Sequence, residues 1–304
     1  MNKDIDVFWG FQGSCLESLK VGGQLGIFTV CELSTGHVPS AMEILGDEAE
    51  RLPEWSDSMD NYYFPDRYLE RLEQEPINAS RVIVASNFSK KTLINAGVEE
   101  SKIDILPLGF DLEMIPFSSS SFTKKGTRPL RLLYTGRITQ RKGISYLLEA
   151  ISSFDPKEVT LDIIGFLHGS GHAFAKYRDR VRVLPNMSQS ELFKKYGEYD
   201  ALVLPTLFEG FGLVIIEAMA AGLPVITTPH SIGPEVILED QNGYIVPIRD
   251  VDAIHGAIER LLEKNCEQLM DMRSCAREAA LKYSWDVYTQ RLDSLMRSWN
   301  LSRN

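Results

Sequence analysis

Short apolar runs alternate with longer amphipathic segments through the second part of the chain. The apolar runs predict strands at 130–135, 160–164, 181–184, 200–204, 224–228 and 243–246. Between them, a helical period predicts helices at 144–153, 190–196 and 213–221, followed by three more that begin near Asp250, Glu267 and Asp286. Strands and helices that alternate in this way form a parallel sheet covered by helices on both faces. Ligands of such sheets bind beyond the carboxyl ends of the strands.

The first third shows the same alternation with shorter elements. Strands are predicted at 5–9, 27–32, 81–85 and 102–106, and helices at 41–51, 62–75 and 88–96. We expect Asn87 to cap the last of these helices and Gly97 to end it. The segment 116–129 is rich in Ser, Gly and Pro and has no apolar period, which predicts a linker. The predicted organisation is therefore an α/β protein with two domains, 1–115 and 130–304.

Composition and charge narrow the class of partner. The chain has 304 residues, of which 44% are apolar and 24% charged, as in ordinary globular proteins. Residues 1–120 carry 9 basic and 20 acidic side chains, a net of −11, while the remainder carries a net of +1. An acidic front third is repelled by nucleic acid and by anionic membranes, so we expect no nucleic-acid partner and an acceptor that is not polyanionic. The other interpretation is that these acidic residues form an ordinary solvent-exposed face with no role in choosing a partner.

Targeting and redox signals are weak in this sequence. No apolar run approaches the roughly 18 residues of a membrane span, and the first residues lack the layout of a signal peptide. The four cysteines form no Cys-x-x-Cys pair and no cluster with histidine, which argues against a zinc site or a disulfide framework. We expect a cytoplasmic protein, which could still work at the inner face of a membrane.

A basic loop follows the first strand of the second domain. It reads Gly136-Arg-Ile-Thr-Gln-Arg-Lys-Gly143 and places Arg137 and Lys142 at the carboxyl end of the predicted sheet. A guanidinium binds phosphate oxygens through a planar fork, and an ammonium binds them as a compact charge. The loop suits a diphosphate, although a solvated loop with ordinary cations has the same composition.

A second cluster contains two acids eight positions apart, Glu209-Gly-Phe-Gly-Leu-Val-Ile-Ile-Glu217. The glycines Gly210 and Gly212 allow a ligand to approach the backbone, and the helix that begins near Leu213 offers free N–H groups to an anion. Glu217 lies in an otherwise apolar helix, where a carboxylate needs a hydrogen-bond partner. The sequence shows no obvious partner, so we expect a ligand with hydroxyl groups. A buried helix with a tolerated glutamate is the alternative.

These clusters belong to an ordered series of motifs that resembles a known family. The series comprises Gly136-Arg137, Lys142-Gly143, Asp162-Ile-Ile-Gly165, 181–184, Asp200-Ala-Leu-Val-Leu-Pro-Thr206, Glu209 to Glu217, Ala218-Met-Ala-Ala-Gly-Leu-Pro-Val-Ile226, Gly233-Pro-Glu235, Gly243 and Tyr283-Ser-Trp285. It resembles the C-terminal domain of retaining glycosyltransferases of family 4, and the resemblance as a whole covers residues 78–292. The resemblance implies the GT-B fold, in which two Rossmann-like domains face a cleft.

The resemblance also implies roles for individual residues. Arg137 and Lys142 would hold the diphosphate of a nucleotide-sugar, and the ribose hydroxyls would donate to Glu217. The sugar hydroxyls would bind Glu209 and the backbone of Gly210, Phe211 and Gly212. The phosphate would also contact the amides of Leu213 and Val214. The base would lie near Gly165 and Leu184. His37, Arg137, Lys142 and Glu209 would act in catalysis. Neither a metal nor a cofactor is expected, and UDP is favoured over GDP or ADP in the sugar donor.

The first domain carries a looser version of the same resemblance. His37 follows the strand at 27–32, where the family often has a histidine near the sugar donor and the acceptor, and Glu32 is a weaker second candidate. The opening strand and the glycine-rich loop of the family find no match. Gly22-Gly23 does not replace them, because it lies in a helix-to-strand turn before the strand at 27–32. We therefore expect a shortened first domain, which an oligomer or a second chain could complete.

Three hypotheses follow from the sequence. The leading one is hexose transfer from a nucleoside-diphosphate sugar to a glycan, lipid or small acceptor. A nucleotide-sugar-binding module without turnover, or a partner subunit, is the alternative. An NAD-dependent enzyme is disfavoured because no Gly-x-Gly-x-x-Gly motif follows a strand, and Gly169-Ser-Gly171 lacks that spacing.

Overall fold

The computed structural model describes residues 5–59, 64–117 and 128–299. The first domain contains β1 (Val7–Phe11), α1 (Leu16–Gln24), β2 (Phe28–Leu33), α2 (Val38–Arg51), α3 (Asp66–Asn78), β3 (Arg81–Val84), α4 (Asn87–Asn95) and β4 (Ile103–Ile105). The second domain begins with β5 (Leu130–Thr135), α5 (Ile144–Ser152), β6 (Val159–Ile164), α6 (His172–Ala175), β7 (Arg182–Leu184), α7 (Gln189–Tyr196) and β8 (Ala201–Leu204). It continues with α8 (Leu213–Ala220), β9 (Val225–Thr227), α9 (Gly233–Val236), β10 (Gly243–Ile245), α10 (Val251–Glu263), α11 (Cys266–Ala280) and α12 (Trp285–Ser298).

The second domain is a doubly wound parallel sheet. Its strand order is β10-β9-β8-β5-β6-β7, so the chain winds outward from β5 in one direction and then from β8 in the other. All paired strands in it are parallel. Every residue of β8 is buried, as expected for a strand with helices on both faces. The winding direction changes between β5 and β8, which is where sheets of this kind bind ligands.

The first domain has a parallel sheet in the simple order β1-β2-β3-β4. Two predictions for this domain need correction. The helix α1 runs through Gly22-Gly23, which were expected to form a turn between a helix and a strand. The N-cap of α4 is Ser86, whose side chain accepts a hydrogen bond from the N–H of Ser89, and Asn87 is the first helical residue.

The last helix returns to the first domain. At the end of α12, the indole N–H of Trp299 donates to the Asp104 carboxylate on β4 at 3.0 Å. Its ring packs 5.9 Å from Trp9 and 5.3 Å from Phe28 between centroids. The two domains are therefore joined by this helix as well as by the segment around 116–129. The middle of that predicted linker, 118–127, lies outside the described residues.

The architecture confirms the predicted fold class, α/β with parallel sheets in two domains. Among the residues that the structure describes, no helix combines the length and the apolar character needed to cross a bilayer.

Candidate functional site

The basic loop lies at the carboxyl end of β5, where the winding direction changes. Residues Gln140–Lys142 form a single 3₁₀ turn, and Gly143 follows with φ of 68° before α5 begins. A Cβ at Gly143 would overlap the carbonyl oxygen of Pro205, which follows β8. Glycine is therefore required here both for its left-handed backbone and for the close approach of the two loops.

Lys142 and Glu209, predicted in separate motifs, meet in the structure. The ammonium Nζ lies 2.8 Å from Oε2 of the carboxylate, and the two side chains are 20% and 17% exposed. The N–H of Glu209 donates to the carbonyl of His230 at 2.9 Å, which fixes the loop that carries the acid. The predicted phosphate-binding and sugar-binding residues thus form one site at the edge of the sheet.

The helix α8 points its first turn toward this site. Gly212 is its N-cap with φ of 89°, in the left-handed region, and Leu213 is 40% exposed. The first N–H groups of a helix, here those of Leu213 and Val214, lack acceptors within the helix and can bind an anion. Phe211 differs from its neighbours because its ring is buried beside Tyr283, so only its backbone is available to a ligand.

Glu217 already has protein partners, which corrects the expectation that only a ligand could satisfy it. The hydroxyl of Tyr196 donates to Oε2 at 3.1 Å, and Nε2 of Gln189 donates to Oε1 at 3.3 Å. Burial raises the pKa of Glu217, while these two bonds and the nearby charge of Lys142 oppose that rise. Glu217 lies one turn into α8, the helix that begins directly after the loop of Glu209.

An exposed apolar patch adjoins the basic loop on the β6–β7 side. The guanidinium of Arg137 lies 5.9 Å from the ring centroid of Phe166, which is 50% exposed. A Cβ at Gly165 would overlap the carbonyl oxygen of Gly136, so the loops after β5 and β6 touch. Leu184, at the end of β7, is partly exposed. Arg137, Gly165 and Leu184 thus line one side of the site, and Phe166 joins them.

The first domain contacts the Glu209 loop directly. The hydroxyls of Ser86 and Ser89, at the start of α4, donate to the carbonyl oxygen of Gly210 at 2.6 and 2.9 Å. A Cβ at Gly210 would lie 2.5 Å from the carbonyl oxygen of Ser34 and 2.6 Å from Cα of Thr35. No sequence pattern indicated this contact for the two serines, because Ser at a helix start also caps the helix.

His37 lies in the first domain beside this contact. It is the N-cap of α2, and its Nδ1 accepts from the N–H of Ser40 at 3.3 Å. Burial lowers the pKa of His37, which favours the neutral ring. The weaker candidate Glu32 instead accepts from the indole N–H of Trp9 at 2.8 Å.

His37 lines a cavity of about 780 Å³ between the two domains. The ring of Phe88 stacks on His230 at this cavity, with centroids 4.6 Å apart. Glu235 also lines it: Oε1 accepts from the N–H of Asn87 at 2.6 Å, whereas the buried Oε2 has no hydrogen-bond partner among the described residues. Burial raises the pKa of Glu235. The wall of the cavity therefore contains a carboxylate oxygen that is buried and has no described hydrogen-bond partner.

Two cysteines come together in the core of the first domain. Sγ of Cys15 and Sγ of Cys31 are 3.9 Å apart, and both thiols are free. Together with Glu75 they form the one group of potential metal ligands found among the described residues. The Glu75 carboxylate already accepts backbone N–H bonds, including 2.8 Å from Cys15 and 3.0 Å from Leu16. The spacing along the chain did not reveal this pair.

The fold defines this chain as a GT-B protein. Its candidate site lies in the second domain, where the winding direction of the sheet changes between β5 and β8. Residues 118–279 match the family described as glycosyl transferases group 1. The chain belongs to this family.

Several relatives are glycosyltransferases by name. The chain is 30% identical over 244 residues to D-inositol 3-phosphate glycosyltransferase of Mycobacterium marinum, a match that covers 75% of this chain and 51% of that protein. It is 29% identical over 182 residues to the amylovoran biosynthesis glycosyltransferase AmsK of Erwinia amylovora, covering 56% of this chain and 44% of AmsK. The chain thus spans about half the length of the relatives that it matches.

Solved structures share the fold over nearly the whole chain. Sucrose-phosphate synthase from Thermosynechococcus elongatus superposes with a TM-score of 0.74 at 21% identity, covering 97% of this chain and 73% of that one. HepE from Anabaena, in complex with UDP, also superposes with a TM-score of 0.74, at 18% identity, and the match covers 96% of this chain and 79% of HepE.

Proposed function

We propose that this chain is a retaining glycosyltransferase, which moves a hexose from a nucleoside-diphosphate sugar to a glycan, lipid or small acceptor. The observation that carries the proposal is the 2.8 Å approach of Lys142 to Glu209 beside the start of α8. A cation, a sugar-binding acid and a helix N-terminus then surround one point at the sheet edge. Family membership and the glycosyltransferase names of the relatives support it.

The phosphates are the first part of this proposal. As the bond between sugar and phosphate breaks, negative charge builds on the leaving diphosphate. In this proposal Arg137, Lys142 and the first N–H groups of α8 stabilise that charge. These groups can supply the positive charge without a metal ion. Binding of a diphosphate would draw Lys142 away from Glu209 and leave the carboxylate to accept bonds from sugar hydroxyls.

The nucleoside is the second part. Glu217 would accept bonds from the ribose hydroxyls, with Tyr196 and Gln189 holding its orientation. The base would stack against the apolar patch of Phe166 and Leu184. UDP is the preferred nucleotide in this proposal, and the structural neighbour HepE was crystallised with UDP.

The acceptor is the third part. We place it in the cavity between the domains, because that cavity is lined by His37 and Glu235 and borders the loop that carries Glu209. Binding would have to turn the buried Oε2 of Glu235 into the cavity, where it would accept a hydrogen bond from an acceptor hydroxyl. In a retaining reaction it would attack the sugar on the face that the diphosphate leaves. The reaction fits a cytoplasmic enzyme.

Release of nucleoside diphosphate tests the proposal. The protein is incubated with UDP-, GDP- and ADP-sugars, with and without simple glycosides as acceptors, and the free nucleotide is measured. We expect release from one of the three sugars, and its loss in the Lys142→Ala variant. Lys157→Ala is a matched control, because Lys157 is exposed just before β6, at the opposite end of the sheet. Binding without turnover would instead indicate a binding module. The absence of both binding and turnover would refute the proposal.

A further inference from the structure

Glu48 is a fully buried carboxylate of the first domain whose partners belong to the second. It lies in α2, and its Oε1 accepts from Nε2 of Gln140 at 2.6 Å and from the hydroxyl of Tyr146 at 2.7 Å. Its Oε2 accepts from Nε of Arg249 at 2.6 Å. A buried carboxylate is stable only when it is bonded in this way, so the network requires both domains to be in place.

Gln140 connects this network to the basic loop. It is buried at the start of the turn Gln140–Lys142, and its N–H donates to Oγ of Ser58 at 3.0 Å. Its side-chain oxygen accepts from the N–H of Ser145, in the first turn of α5, at 3.1 Å. The turn that carries Lys142 is therefore held from the first domain by Glu48 and Ser58, and from its own domain by α5.

Arg249 holds the other oxygen of Glu48 from an uncommon backbone conformation. Its φ is 64°, in the left-handed region, where residues other than glycine are rare. The guanidinium also donates to the carbonyl of Ile44 at 2.8 Å and pairs with Asp47 at 2.7 Å. Outliers of this kind persist where the surrounding contacts determine them and often mark functional contacts.

We propose that Glu48 is a positioning residue, which places Lys142 for the diphosphate by holding the turn Gln140–Lys142 across the domain interface. The inference rests on the proposed function, because it assumes that Lys142 binds the phosphates. It assigns a role in binding the sugar donor to a side chain of the first domain that does not itself belong to the phosphate site. Sugar-donor affinity then depends on whether the two domains are closed.

A double-mutant cycle on UDP binding tests this inference. Calorimetry is performed on the wild type, Glu48→Gln, Lys142→Ala and the double variant. Glutamine keeps the shape of the side chain but replaces one acceptor oxygen by an NH₂ group, which faces the N–H and O–H donors around it. We expect Glu48→Gln to weaken UDP binding about fivefold, and to have almost no further effect once Lys142 is removed, because interacting residues are not additive. A residue that affects binding independently of Lys142 would give losses that multiply, and one that only stabilises the fold would leave UDP affinity unchanged.

Two further variants complete the design. Asp47→Asn is the matched control, because Asp47 is the neighbouring acid on Arg249 but is 46% exposed, and it should bind UDP like the wild type. Should Glu48→Gln not fold, Tyr146→Phe removes a single hydroxyl from the network, and we expect a smaller loss of affinity in the same direction.

The outcomes separate this inference from the proposed function. Normal UDP affinity in the folded Glu48→Gln variant, or in Tyr146→Phe where it serves as the substitute, overturns the inference. Losses that multiply in the double variant also overturn it. In these cases the weakened binding of Lys142→Ala would still support the proposed site. Wild-type affinity in Lys142→Ala would refute both.

Discussion

Lys142 Nζ lies 2.8 Å from Oε2 of Glu209, although the two residues follow different strands of the second sheet. Lys142 belongs to the loop after β5 and Glu209 to the loop after β8, and these strands are neighbours where the winding direction changes. The ion pair therefore lies at the edge where ligands of such sheets bind. In the proposed reaction the lysine moves from the carboxylate to phosphate, and the carboxylate then binds the sugar.

Replacing Glu217 with Gln should raise the stability of the fold and weaken the binding of UDP. Burial raises the pKa of Glu217, so its charged form destabilises the folded protein at neutral pH. This penalty is present above the raised pKa and disappears below the ordinary value of about 4.3. We expect Glu217→Gln to have a higher Tm at neutral pH, and the difference to shrink as the pH falls through the raised pKa.

The same variant should bind UDP more weakly. A hydrogen bond to a charged group contributes about 1.5–3 kcal/mol, so losing the charge should lower affinity about tenfold or more. Thermal denaturation and calorimetry on one preparation measure both effects. A variant that binds UDP like the wild type would remove Glu217 from the ribose site.

Gly210→Ala should hold the two domains apart. The new Cβ would lie 2.5 Å from the carbonyl oxygen of Ser34, and overpacking of this kind costs about 1–3 kcal/mol. We expect a larger radius of gyration by small-angle X-ray scattering and a lower kcat. Gly256→Ala is the control, because that glycine lies in α10 with open space around it. The same compact scattering curve in both variants would contradict the contact at Gly210.

Acidification should weaken the first domain through His37. Burial lowers the pKa of His37, so the neutral ring caps α2 and protonation removes the Nδ1 acceptor. A lowered pKa means that this stability is present above the unfolded value of about 6.5 and is lost as the pH falls through the folded value.

We therefore expect the Tm of the wild type to fall further than the Tm of His37→Asn when the pH is lowered from about 7.5 to about 5.5. Asparagine also caps helices but does not titrate. His230, whose pKa burial also lowers, acts in the same direction in both proteins, so it does not affect the comparison. Equal losses in the two proteins would show that the His37 cap does not titrate in this range.

Sequence patterns predicted the second sheet well because its central strands, such as β8 and β9, are buried on both faces. Residues 130–135 were predicted as a strand, and β5 spans the same residues. The glycines Gly22 and Gly23 were expected to follow a helix because glycine is a poor helix former. Packing of Leu19 in the core overrides that preference, so α1 continues through them. The cap of α4 was displaced by one residue because Ser86 and Asn87 are both good caps.

The motifs that carry the candidate site are recognisable in the sequence, whereas the contacts between their residues are not. Arg137, Lys142 and Glu209 belong to recognisable motifs, yet the contact between Lys142 and Glu209 depends on the strand order. Glu217 was expected to lack a protein partner, whereas Tyr196 and Gln189 reach it from α7. Such long-range hydrogen bonds leave no trace in local periodicity.

Calorimetric titration with UDP, GDP and ADP tests the central claim most directly. We predict that one of these nucleotides binds to the wild type and to Lys157→Ala with the same Kd. Lys142→Ala should bind it at least about tenfold more weakly, which corresponds to about 1.4 kcal/mol. Absence of binding to all three nucleotides, or equal affinity in Lys142→Ala and the wild type, would contradict a nucleotide-sugar site at Lys142 and Glu209.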